Sequence, residues 1–347
     1  MKSNFLKYFH CIIIVLVLSC NSNKSKEDKI KIDLSNYKNT INLSEFVDSL
    51  SYIQLETNDS CLISEIEYLS VADKKIFIKD VKSGGILIFN TNGRFISKLN
   101  KFGSGPGEFN RIHSFDINNK NKNILIHDDL SKRLISYSYD GKFLTQIKIK
   151  EYIRDFALVG NDKFVFLRPD GYINTNDRNG IWYANIMGDF EKTIIKGSTK
   201  NSLFIRGAEL CCKMQDSVYY YDMYTDKVFC IKNDIVKCIY SFNLMQKTPH
   251  EILSNPNGKL NNYFMKIGFY VTKNNVLIFY ISDNDYRVVV LNRNNKSMLI
   301  GKDFMNNIDD YGIENIVGVF DENTLVASIA SKNRYSNPSL QILHLKK

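Results

Sequence analysis

The feature that most restricts what this chain can fold into is a repeat written in strands. The segment KKIFIKD, closed by GGILIFNTNGRFISKL, recurs as KNILIHDD closed by KRLISYSYDGKFLTQIKI, with Phe89 and Tyr137 in the same place 48 positions apart. In both copies short apolar runs are joined by Asn-Gly or Asp-Gly, which supply the positive φ of a tight hairpin turn. Looser copies follow: KFVFLRPD with IWYANIMGDFEKTII, SVYYYD with KVFCIKNDIVKCIYSF, and NVLIFYIS with YRVVVLNRNNKSMLIG. A last unit, TLVASIA with LQILHLKK, ends one strand short. Helical periodicity is scarce, so the chain reads as all-β.

Six such units, each able to bury its faces only against its neighbours, predict a six-bladed β-propeller. The incomplete last blade needs a strand from elsewhere. VDSLSYIQLET, Val47 to Thr57, alternates like a strand and precedes the first full unit. This N-terminal strand is expected to join the C-terminal blade, closing the ring and removing two exposed sheet edges.

Together, FVDSLSYIQLET, the turn FNTNG at Phe89 to Gly93, and GSGPGEF followed by FDI resemble the six-bladed β-propeller lipoproteins of Bacteroidota, and more distantly NHL-repeat propellers. The resemblance covers Ile41 to about Ile149 and continues as a strand cadence. It implies an exported, lipid-anchored propeller and no well-defined activity.

The N-terminus reads the same way on its own chemistry. Lys2 and Lys7 precede an apolar run from Cys11 to Leu18, a secretory signal too short to span a bilayer, which takes about 20 residues. Val17-Leu18-Ser19-Cys20 resembles a bacterial lipobox, in which the cysteine thiol is acylated and becomes the new N-terminus. Residues 1–19 are therefore expected to be a lipoprotein signal peptide, 20–40 a flexible tether after the lipidated Cys20, and 41–347 the propeller. Acyl chains on Cys20, palmitate among them, would hold the protein at a membrane, each buried methylene adding about 0.8 kcal/mol. The expected location is the outer membrane, on its periplasmic or its cell-surface face.

Loss of Lys2 and Lys7 takes the formal charge from +9 to +7, a moderately basic balance compatible with several acidic partners. Nucleic acid is disfavoured as a partner, because an exported acylated protein seldom meets it. Of seven cysteines, five remain once Cys11 leaves and Cys20 is acylated. Cys230 and Cys238 flank IKNDIVK and are candidates for one hairpin disulfide in an oxidising compartment.

The glycine-rich stretch KFGSGPGEFNRIHSFDI is not a phosphate loop. Glu108 and Phe109 follow Gly107 where a Walker loop needs Lys-Ser/Thr, and the spacing Gly103-x-Gly105-x-Gly107 is not that of a dinucleotide fold. It lies between the last strand of one unit and the first of the next. Gly103, Gly105 and Gly107 are expected to permit the reversal, Pro106 to fix φ, and Phe109 to pack between blades.

In a propeller the first strand of each blade lines the central channel, and the connector leading to it lies at one mouth. Aligning those connectors places Arg111, His113, Arg154, Arg206 and Lys266 around the mouth, with Glu65 and Glu314 as acidic channel residues. Four cations in one funnel would grip an anionic group by bidentate hydrogen bonds. The function expected is a binding or recognition module for an anionic ligand, a glycan, a peptide or a protein partner. The alternative is a metal-assisted hydrolase or lyase at the channel. No catalytic residue can be named for it, His113 and His127 stand too far apart in sequence to define a metal set, and no cofactor motif is present.

Overall fold

A computed structural model describes residues 29–160, 162–168, 180–196, 211–223, 225–253, 259–331, 333 and 335–347. Cys20 and Arg206 lie outside these described residues. The chain first lays down β1 (Lys29–Ile32), β2 (Lys38–Asn42), a 3₁₀ turn over Leu43–Glu45, and β3 (Val47–Gln54). Blade 1 is β4 (Ile66–Ala72), β5 (Lys75–Asp80), β6 (Ile86–Asn90) and β7 (Phe95–Leu99). Blade 2 is β8 (Ser114–Asn118), β9 (Asn123–Asp128), β10 (Arg133–Ser138) and β11 (Phe143–Lys148). Blade 3 is β12 (Asp155–Val159), β13 (Lys163–Arg168), β14 (Gly180–Asn185) and β15 (Phe190–Lys196). Blade 4 is β16 (Cys211–Met214), β17 (Ser217–Asp222), β18 (Lys227–Lys232) and β19 (Ile235–Leu244). After a helical turn, α1 (His250–Leu253), blade 5 follows as β20 (Met265–Val271), β21 (Asn275–Ile281), β22 (Tyr286–Asn292) and β23 (Met298–Met305). Blade 6 has β24 (Ile316–Asp321), β25 (Thr324–Ile329) and β26 (Ser339–Leu345).

Each blade is a meander whose inner strand packs against the inner strands of its neighbours, from β4 round to β24 and back to β4. Middle strands are covered on both faces by adjacent blades, so they read as continuous apolar runs. Ile76, Phe77 and Ile78 of β5 are all fully buried. The core is thus a series of wedges between blades, and the wedge between blades 1 and 2 gathers Phe77, Ile88, Phe109, Ile126 and Tyr137. The ring is a six-bladed propeller.

Closure uses the strand expected of it. β3 runs antiparallel to β26, with Leu50 opposite Leu343 and Gln54 opposite Ser339. The closure is tied to blade 1 through the turn at Gly93, whose carbonyl accepts from the Glu56 N–H at 2.8 Å. Gly93 has φ +83°, and a Cβ there would lie 2.0 Å from the Gln54 carbonyl oxygen, so no other residue fits without displacing β3.

The tether expected over residues 20–40 does not extend that far. β1 adds parallel to β19, and β2 adds parallel to β23, so residues from Lys29 onward form a belt over the outer edges of blades 4 and 5. Ile32, Leu34 and Ile41 are fully buried in this belt. Gln246 accepts from the Leu34 N–H at 2.8 Å, and the Arg287 guanidinium donates to the Leu34 carbonyl while lying 3.6 Å from the Tyr37 ring centroid.

The disulfide expected between Cys230 and Cys238 is absent; both thiols are free. A two-residue turn at Asn233 and Asp234 sets Cys230 opposite Lys237 and Cys238 opposite Phe229. Successive strand residues face opposite sides of a sheet, so the two sulfurs point apart.

The connector after β7 is a compact knot. The Gly103 N–H donates to the Phe109 carbonyl, the Phe109 N–H donates to Lys101, and the Glu108 carboxylate accepts from the Gly105 N–H at 2.9 Å. Phe109 is fully buried against Phe102 and Tyr137, and the Tyr137 hydroxyl donates to the Gly107 carbonyl.

Candidate functional site

Among the described residues, the connectors that lead into inner strands lie on one face of the ring, together with the loops joining second to third strands. At the start of blade 2, Arg111 makes a bidentate pair with Asp129, its Nε 2.9 Å from Oδ1 and its second contact closing on Oδ2. His113 Nδ1 is 3.6 Å from the same Oδ2. Behind it, His127 of β9 stands across from Ser114 of β8, with its ring edge-on to His113 at 5.5 Å between centroids. His127 is almost wholly buried, and its Nδ1 has no hydrogen-bond partner.

Lys79 of blade 1 reaches into this group, donating to Glu67 at 2.7 Å and to the His113 carbonyl at 3.2 Å. Arg154, just before β12, is close enough to act electrostatically on His113. Burial, with Lys79, Arg111 and Arg154 adding to it against Asp129, holds the His113 imidazole below its ordinary value. Burial takes His127 down to about 4. Both rings are therefore neutral at pH 7, and the positive charge of the arc comes from Lys79, Arg111 and Arg154.

Below the mouth the channel is spanned by an ion pair. Lys213 of β16 places its ammonium 2.8 and 2.9 Å from the two oxygens of Asp116 on β8, and 3.2 Å from the Ile117 carbonyl. The Leu158 N–H of β12 donates to the same carboxylate at 2.7 Å. One carboxylate thus ties the inner strands of blades 2, 3 and 4. Asp155 sits nearby; burial, with Asp116 contributing, pushes its carboxyl up to about 6.

The ring of four cations expected around the mouth is not formed. Arg111, His113 and Arg154 gather in one arc, and Arg206 lies outside the described residues. Lys266 is within β20 rather than in the connector before it, and a register shift between Lys266 and Gly268 accompanies its burial between blades 4 and 5. Its ammonium lies 5.4 and 5.2 Å from the ring centroids of Tyr221 and Phe269, lining a cavity of about 10 Å³ with Asp226, Lys247 and Tyr280. That volume holds about one water. Glu65 and Glu314 are exposed rim residues, while Asp116 and Asp155 lie on the inner strands β8 and β12.

Two roles were not read from the sequence, those of Asp128 at the end of β9 and of Asp129 in the turn after it. Asp128 is fully buried and accepts from the Asn110 N–H at 2.9 Å and from Ser131, latching the connector to the blade. Asp80, 48 positions earlier, does the same in blade 1, accepting from the Ser64 and Ser83 N–H groups at 2.7 Å. The signal was the shared Asp ending KIFIKD and NILIHD. Nothing in the sequence marked the Lys213–Asp116 contact, which joins residues 97 positions apart. Among the described residues no group of three or more His, Cys, Asp or Glu is set to hold a metal ion, and no helix is long and apolar enough to cross a membrane.

Comparison with solved structures agrees with the ring. A "putative exported protein" from Bacteroides fragilis superposes with a TM-score of 0.76 at 14% identity, over 92% of this chain and 99% of that one. A member of the DUF4221 family from Bacteroides vulgatus gives 0.52 at 11% identity, over 86% of this chain and 97% of that one. At these identities the likeness is one of fold. No curated protein matches the chain. A family model described as a domain of unknown function, DUF4934, matches residues 29–342, from the first residue of the belt to β26 of blade 6, and the chain belongs to that family.

Proposed function

We propose that this protein is an exported, lipid-anchored binding module that holds an anionic group of its ligand at the channel mouth over blades 1–3. The observation that carries the reading is the convergence of Lys79, Arg111 and Arg154 on the His113–His127 pair, above a channel spanned by Lys213 and Asp116. Export is supported by the signal-like N-terminus and by the described nature of the Bacteroides fragilis neighbour. Anchoring by acyl chains on Cys20 rests on the lipobox-like sequence, and the proposed location is the outer membrane.

The site works by competition. Asp129 already occupies the Arg111 fork in the geometry a ligand carboxylate or sulfate would take, so a ligand binds by displacing or sharing that contact. The ligand is held on the mouth and does not thread the ring, because the Lys213–Asp116 pair stands in its way.

The test is binding of acidic and neutral glycan arrays at low salt and at about 0.3 M salt, where exposed charges are screened within a few ångströms. Salt-sensitive binding to acidic glycans, weakened about tenfold or more in an Arg111→Ala, Arg154→Ala double variant, supports the reading. Binding indifferent to both changes would remove it. Labelling with a palmitate analogue in cells, lost in Cys20→Ala, tests the anchor separately.

A further inference from the structure

A second surface, away from the mouth arc, has the build of a small-ligand site. The loop from Asn306 to Tyr311 connects the outer strand β23 of blade 5 to the inner strand β24 of blade 6, so it lies on the same face as the mouth. Tyr311 of this loop and Tyr52 of β3 place their rings 5.0 Å apart at 45°, and they are 59% and 38% exposed.

Exposed tyrosines are ordinarily free to turn. Here Tyr52 is held through its side chain and Tyr311 through its backbone and its contact with the Tyr52 ring. The Tyr52 hydroxyl donates to Asp309 and accepts from the Gln341 amide at 3.0 Å, with Gln341 itself fully buried. Tyr311 is held at both ends of its backbone, its N–H donating to Asp309 at 3.0 Å and its carbonyl accepting from Asn306 at 2.7 Å. Asn306 also donates to Asp309 at 2.6 Å and accepts from the Ile308 N–H at 3.0 Å. The conformational entropy that a binding surface must lose has already been lost here on folding.

We propose that Tyr52 and Tyr311 form a stacking shelf for a neutral pyranose ring. At 5.0 Å the two rings lean on each other, so Tyr52 buttresses Tyr311, whose more exposed ring suits the apolar C–H face of a sugar chair, and tyrosine provides broad amphipathic contact from few rotatable bonds. Asp309 and Asp310 at the edge of the shelf accept hydrogen bonds from sugar hydroxyls and repel an acidic ligand. The shelf is little wider than one ring, a footprint suited to one sugar unit and small for a protein partner, whose stable interface buries about 800 Å² per side. The inference is independent of the anion reading of the mouth, since the two surfaces share no residue.

The test is calorimetry and saturation-transfer NMR on the full chain in a detergent that carries no sugar. The probes are the neutral tetrasaccharides of β-1,4-glucose, α-1,4-glucose, mannose and xylose. At least one binds with a dissociation constant of about 10 mM or tighter, and Tyr311→Ala weakens it by about tenfold. Tyr52→Phe keeps the ring and loses the hydroxyl anchor, so its effect is smaller. The Arg111→Ala, Arg154→Ala variant binds the same sugar unchanged, which separates this shelf from the mouth. Near-ultraviolet circular dichroism confirms that each variant is folded. Binding of none of the four, or binding that survives Tyr311→Ala, overturns the assignment; the first result would leave the shelf to a protein partner.

Discussion

Blades 1–3 and blades 4–6 hold their outer edges in different ways. In blades 4 and 5 the outer strands β19 and β23 are each covered by a parallel strand from the N-terminal belt, and blade 6 receives its whole outer strand from the same segment. In blades 1–3 the outer strands β7, β11 and β15 are the last of their sheets. Five of the six residues of β11 are exposed, and Phe143 and Leu144 are 38% and 52% accessible. Blades 1 and 2 compensate from within. They have the glycine knot after β7, the buried Asp80 and Asp128 latches, and the tight Asn-Gly and Asp-Gly turns. One half of the ring is held by regular local motifs, and the other by strands imported from outside it.

The largest test of this contrast is a chain that begins at residue 43, without β1 and β2. It uncovers Ile32's, Leu34's and Ile41's partners and leaves the outer edges of β19 and β23 unpaired. Burial of three such side chains at about 1.5–3 kcal/mol each, less the entropy of ordering the belt, puts the loss at roughly 3–6 kcal/mol. Amide exchange should quicken in β19 and β23 while β5, β6, β9 and β10 stay protected. Equal quickening in both halves would mean that the belt stabilises the ring as a whole, and the contrast would fail.

The same contrast explains how much could be read from the sequence. The six units and the closing strand were legible because period-two alternation, Asn-Gly turns and the 48-residue spacing are local signals. The belt was not, because KIKI and KNTIN are short and polar enough to pass for a tether. What makes them strands is the open edge of β19 or β23, more than two hundred residues away. Lys266 was misplaced for a related reason: connectors differ in length, so Arg111 stands three residues before its inner strand while Lys266 is the second residue within its own. Cys230 and Cys238 look symmetric about IKNDIVK, but the two-residue turn pairs positions that sum one lower. The His113–His127 contact was hidden because it depends on the register of β8 with β9.

The second test concerns the latches. Burial raises the Asp80 and Asp128 carboxyls, yet hydrogen bonds from Ser64 and Ser83, and from Ser131 and Asn110, hold both below the usual range. Asp128→Ala strands several buried donors and should cost about 3 kcal/mol by chemical denaturation, with Asp80→Ala similar. The sign with pH follows from the depressed values. The contribution is fully present above the unfolded value of about 3.9 and is lost as pH falls through the lower folded value, so the variants should show a flatter acid limb. Asp283 in blade 5 accepts from the Leu260 and Asn261 N–H groups in a similar way but is exposed, and Asp283→Ala should cost clearly less. An equal cost would show that the latches matter alike in both halves.

The smallest expected effect has the opposite sign. Asp155 in the inner strand of blade 3 is pushed up to about 6, so its ionised form is disfavoured in the fold. Between about pH 4, where an unfolded aspartate titrates, and about pH 6, the folded chain binds more protons than the unfolded one, and stability falls as pH rises. Above that window the penalty is constant. Asp155→Asn keeps an acceptor for the Phe156 N–H, which lies 2.8 Å from Oδ1, and removes the charge. It should raise stability by roughly 1–2 kcal/mol at pH 7 and by little at pH 4. If the gain is the same at both pH values, the effect is one of packing. If it is confined to neutral pH, the channel of the unbelted half carries a buried acid at a cost to its own stability, as expected of a surface kept for binding rather than for holding the ring together.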